Sequence, residues 1–82
     1  MFKAFFEKRI QKDLSKLATA RERCIGVLQS KGLSEDEVLS VEQAAHKKAG
    51  IAYVRHPDIQ ATLKIYFASL IEEALKLGHD VA

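Results

Sequence analysis

Three histidines and one cysteine are the side chains here whose chemistry suits a metal ion. Zinc sites built from Cys and His present their ligands in short-range pairs such as C-x2-C or H-x3-H, because one turn must bring two ligands to one ion. His46, His56 and His79 stand ten and twenty-three residues apart, and Cys24 stands alone. No such pair exists, so the expectation is no metal, with histidines on the surface and a thiol in the core. Catalysis has as little to work with. No nucleophile stands beside a base at a familiar spacing, and no glycine-rich loop is present to cradle phosphate. Glu72 and Glu73 are adjacent, so on a helix they diverge by about 100°. The sequence predicts no enzyme and no cofactor.

Binding chemistry has more support. Lys8, Lys12, Lys16 and Arg23 recur at intervals of four, four and seven residues and share one stripe of a helix. Such a stripe is by default a solvated face. Phe5 lies on it without an evident core role, and an aromatic beside a basic row suits a partner surface. The stripe could meet an acidic protein or, as the alternative, the phosphates of a nucleic acid. Arg21 is of a different kind, because it falls in the middle of an apolar arc, between Leu17 and Ile25. Its stem can pack while its head reaches water or a carboxylate, or it can form an ion pair across an interface. The first is the simpler expectation.

Two short segments resemble known families. KKAGIAYV resembles the turn of helix-turn-helix DNA-binding domains. That family places an alanine four residues before the turn glycine, where this chain has His46 with Ala45 one position early. Pro57 would interrupt the recognition helix. No DNA-reading residue is carried across. His56-Pro57-Asp58 resembles the tripeptide of J-domain co-chaperones, which lies between two helices and contacts a partner chaperone. Lys47 and Lys48 on the preceding helix fit that pattern. Arg55 stands where the family has an aromatic, and Ile59 opens a helix where the family has a basic loop. This resemblance implies a third, co-chaperone reading.

These residues need helices to position them. Gly32, Gly50 and Gly78 each follow a periodic stretch, as glycines past helix ends do. Helix 1 is expected over about 3–30, with Phe6, Ile10, Leu14, Leu17, Cys24, Ile25 and Leu28 within an arc of about 100°. It would be about 40 Å long. Ser34 and Glu37 form a capping-box pattern that starts helix 2, expected over about 35–49. The inward face of helix 2 is Val38, Val41, Ala45 and Ala49. Residues 51–56 could be an extended connector or one more helical turn, and Pro57 predicts a break at His56. Helix 3 is expected over about 58–77, with an apolar face of Ile59, Leu63, Tyr66, Phe67, Leu70, Ile71, Ala74 and Leu77 that Ala68 and Leu75 widen.

The chain has 82 residues, which suits one helical domain, 1–82. Its net charge of +2 is too small to argue for nucleic acid. Residues 1–32 hold eight basic and three acidic side chains, net +5, and residues 33–82 hold five and eight, net −3. A lone cysteine, with no secretory signal and no long apolar run, predicts a cytoplasmic protein and no membrane span. The expected fold is therefore all-α, a small bundle of about three helices. The long first helix packs against the third, and helix 2 crosses or caps them. The apolar breadth of helix 3 calls for a second cover, so a homodimer is expected through Arg21, Ile71 and Leu75. The leading functional expectation is a non-enzymatic protein-binding regulatory or adaptor module. Its partners would be itself and an acidic protein, and nucleic-acid binding through helix 1 is the alternative.

Overall fold

In a computed structural model the chain forms three helices, α1 (Phe2–Ser30), α2 (Glu35–Arg55) and α3 (Ile59–Lys76). The structure describes the backbone of residues 2–82 and the side chains of residues 7–82. Among the described residues all regular structure is helical, and no helix is long and apolar enough to cross a membrane.

The two short connections are set by local chemistry. Gly32 takes φ +95, and the Leu33 amide donates to the Leu28 carbonyl at 3.2 Å. A residue with a Cβ is strained in that left-handed turn, so glycine closes α1 there. Two residues later the Ser34 hydroxyl accepts from the Glu37 amide at 3.2 Å, and Glu37 Oε1 accepts from the Ser34 amide at 2.9 Å. This is the capping box that the sequence predicts. At the second connection Asp58 caps α3 by accepting from the amides of Gln60 and Ala61.

The end of α2 differs from expectation. The helix does not stop near Ala49 but runs through Gly50 to Arg55, and its C-cap is His56 in extended geometry. Pro57 forces that geometry on the residue before it. A glycine inside a helix weakens it without ending it.

Helix packing also departs from expectation. The closest partnership is α2 with α3, not α1 with α3. The reason lies in residue size. Val38, Val41, Ala45 and Ala49 bring α2 close to Tyr66, Leu70 and Ala74 of α3, and all seven are buried. Small residues on the expected inward face of α2 thus produce the closest of the helix interfaces. Helix α1 closes over this pair with Leu17 and Leu28, helped by half-buried Cys24 and Ile25. Its apolar arc is buried only in that C-terminal half. Ile10 and Leu14, expected inside, are exposed, while Phe6 lies outside the described side chains. Arg9 already reaches the Pro57 carbonyl at the α2–α3 connection, at 3.2 Å. The residues before it therefore overhang the other two helices. The molecule measures 48 × 20 × 18 Å accordingly.

Candidate functional site

The four basic residues of the predicted stripe are all exposed on α1. The structure brings two of them, Lys16 and Arg23, to the rim of a groove between α1 and α3. Lys8 and Lys12 lie further toward the overhang, and Phe5 lies outside the described side chains. The groove has two connected hollows of about 370 and 160 Å³, which share Cys24 and Phe67. Ser15, Thr19 and Ala20 leave the first hollow open because they are small. Leu63 and Phe67 wall it from α3, and Val27 and Ile71 continue the groove. From Ser15 to Val27 it follows α1 for about 18 Å, roughly three helical turns.

Of the residues expected to join two copies, Ile71 lines this groove and Leu75 is exposed one turn further along α3. Arg21 does not share their face. Its Nε lies 2.9 Å from Glu42 Oε1 on α2, within the same chain. Tyr66 donates its hydroxyl to the same carboxylate oxygen at 3.2 Å, and His46 Nδ1 lies 3.7 Å from it. Burial, reinforced by the Glu42 charge, pushes the Tyr66 phenol well above its ordinary range. Arg21 therefore neutralises a buried carboxylate that a reading of α1 alone could not locate.

The histidines fall at three separate places, each beside a carboxylate. His46 faces Glu42, His56 lies 3.9 Å from Asp58, and His79 Nε2 lies 3.0 Å from Glu37 Oε2. Among the described residues no group of three potential ligands comes together. Cys24 sits half-buried in the groove, and burial pushes its thiol above the ordinary range. An activated nucleophile needs the opposite shift.

The His56-Pro57-Asp58 tripeptide occupies the connection between α2 and α3. There His56 ends one helix, and the Asp58 carboxylate is engaged in capping the next.

One pair escaped the sequence reading. Asp13 on α1 is only 7% exposed, and its Oδ2 accepts the Tyr53 hydroxyl at 2.6 Å. That hydrogen bond, helped by burial, raises the Tyr53 phenol above its usual range. The signal was present, since Asp13 stands three residues after Ile10 and four before Leu17, beside the apolar arc.

No protein-family model, curated protein or solved structure matches this chain.

Proposed function

We propose that this chain is a non-enzymatic, protein-binding regulatory or adaptor module whose α1/α3 groove takes an acidic amphipathic helix. The observation that carries this reading is the pairing of an apolar floor, Cys24, Leu63 and Phe67, with a cationic rim, Lys16 and Arg23. An amphipathic helix lays its apolar side chains into such a groove at intervals of three and four residues. Carboxylates flanking that apolar face then meet Lys16 and Arg23. Rim charges of this kind steer encounter and select the partner, while the apolar contacts hold the complex. Phe67, Ile71 and Leu75 are spaced four apart and form one row along α3. We place the contact between two copies at the Leu75 end of that row, with Arg21 left to its own Glu42.

The test is fluorescence anisotropy at about 150 mM salt, a condition in which non-specific nucleic-acid binders show Kd near 10⁻⁴–10⁻⁶ M. One probe is a labelled helical peptide with leucines on one face and glutamates beside them. Another has lysine in place of each glutamate, and a third is a labelled DNA duplex. The glutamate peptide should bind at least tenfold tighter than the lysine peptide. Replacing Lys16 and Arg23 by glutamate should reverse that preference. Tight duplex binding that falls steeply with salt and disappears in the same variant would replace this proposal with the nucleic-acid reading.

A further inference from the structure

The chain beyond α3 returns over one end of the α1/α3 groove. Leu77 caps α3, and Gly78, at φ +88, reverses the backbone. His79 Nε2 then lies 3.0 Å from Glu37 Oε2 on α2. Two residues later Val81 is half-buried against the core. It lines the smaller hollow of the groove, together with Cys24, Val27 and Ile71. The larger hollow, from Ser15 to Cys24, has no residue of this segment in its walls.

Little holds the segment down. The His79 amide donates to the Ala74 carbonyl at 3.0 Å. Past that bond, among the described residues, no backbone hydrogen bond joins Asp80, Val81 or Ala82 to a helix. The His79 and Glu37 side chains are 26% and 33% exposed, and an ion pair with that much water contact contributes little. Glu37 also stays in place without it, because its other carboxylate oxygen accepts from the Ser34 amide. One side-chain pair and one apolar contact therefore keep the segment closed. Segments held so lightly open locally while the rest of a domain stays folded. An apolar side chain in a groove stands where a ligand's side chain would go, and a helix laid from Ser15 to Val27 meets Val81 at its last turn.

We propose that Gly78–Ala82 is an autoinhibitory strap, in which Val81 fills the seat that the last apolar side chain of the partner helix needs. This inhibitory role rests on the helix-binding reading of the groove. Strap and partner exclude each other at the smaller hollow. The partner's affinity is therefore lowered by the share of molecules with the strap closed. By the same linkage, a bound partner frees His79 from Glu37.

Cys24 lines both hollows and is the only cysteine, so its alkylation by iodoacetamide at fixed pH reads the cover without any peptide. Val81→Ser and His79→Ala each loosen the strap, and both should raise that rate at least threefold. Ala45→Leu, which strains the distant α2–α3 interface, controls for global opening and should leave the rate near that of the native chain. In fluorescence anisotropy the glutamate-bearing helical peptide should bind both strap variants at least threefold tighter than the native chain. Unchanged alkylation in both variants overturns the strap, as does equal acceleration in Ala45→Leu. Peptide affinity that is equal in all forms overturns it while leaving the helix-binding reading intact. Weaker binding to Val81→Ser overturns it as well, since Val81 would then be a wall of the site and not its cover. A peptide that binds no form of the chain defeats the helix-binding reading itself, and the inhibitory role falls with it.

Discussion

Arg21 and Glu42 meet at 2.9 Å with very unequal solvent contact, the arginine side chain 48% exposed and the glutamate 5%. The arginine keeps much of its hydration, while the carboxylate has given up almost all of its own. Removing either partner therefore has different consequences. Arg21→Ala leaves Glu42 with Tyr66 and His46 alone and should cost about 1–2 kcal/mol, between the limits for exposed and fully buried pairs. Arg21→Leu should cost a similar amount, because the added apolar contact does not neutralise Glu42. In Glu42→Gln the Arg21→Ala change should cost little. Urea melts of the four-member cycle measure the coupling, and additive effects would refute this account.

The α2–α3 interface depends on small side chains. Ala45 and Ala49 are fully buried against α3. Ala45→Leu should destabilise the protein by about 1–3 kcal/mol through overpacking. The same change at exposed Ala68 should fall within about 0.5 kcal/mol of neutral. Thermal melts of the two variants suffice. Equal effects would mean that the helices separate readily to admit the larger side chain.

Glycines should divide by backbone geometry. Gly78 takes φ +88, and the His79 amide donates to the Ala74 carbonyl around that turn at 3.0 Å. Gly78→Ala should cost on the order of 1 kcal/mol. Gly26 lies within α1 with no left-handed φ and with open space around an added Cβ. Gly26→Ala should stabilise by about 0.5–1 kcal/mol. Denaturation midpoints with unchanged m-values are the readout, and a shift of the same sign at both positions would contradict the assignment.

Acid should weaken the junction between the C-terminal segment and α2. The Ser34 amide, followed by His79, lowers the Glu37 carboxyl below its usual value. A lowered folded-state value means that this contribution is fully present above the unfolded carboxylate range, near pH 4.3. It is lost as pH falls through the folded value. Glu37→Gln keeps an oxygen for the Ser34 amide but removes the charge. Its urea midpoint should lie below that of the native chain at neutral pH and converge with it on acidification. Parallel pH profiles for the two proteins would count against the pair.

Light scattering after size exclusion should report twice the 9.2 kDa chain mass at micromolar concentration. Leu75→Asp, which alters an exposed residue, should return the monomer without lowering helicity. A native chain that elutes at 9.2 kDa would remove the homodimer from the proposed function.

What the sequence disclosed follows from the range of the forces involved. Helix starts at Ser34 and Asp58, and left-handed turns at Gly32 and Gly78, rest on contacts within a few residues. Periodicity announces such ends reliably. Gly50 misled because a helix can pass through glycine, and the stronger signal was Pro57 several residues later. Ile10 and Leu14 misled because periodicity identifies an apolar face but not how far the neighbouring helices extend to cover it. Lys16 and Arg23 were legible as a stripe, yet their groove needed Leu63 and Phe67 from another helix. The partners of Arg21 and Asp13 lie 21 and 40 positions away, at separations set only by the packed bundle.

The dominance of the α2–α3 interface bears on the order in which the chain folds. Two helices joined by the three-residue connection His56-Pro57-Asp58 form a hairpin that can close turn by turn from that connection, each new contact adding only a short loop, out to Glu37 and His79 at the far ends. Such local closures are entropically cheap and fast. The hairpin is thus the natural nucleus, on which the C-terminal half of α1 docks afterward through Leu17 and Leu28. Amide exchange in the native state should carry the same hierarchy, with the slowest protons along Val41–Ala49 and Tyr66–Ala74. Protection along α1 should decline from Leu28 toward Ile10, so that its N-terminal turns open and close independently of global unfolding.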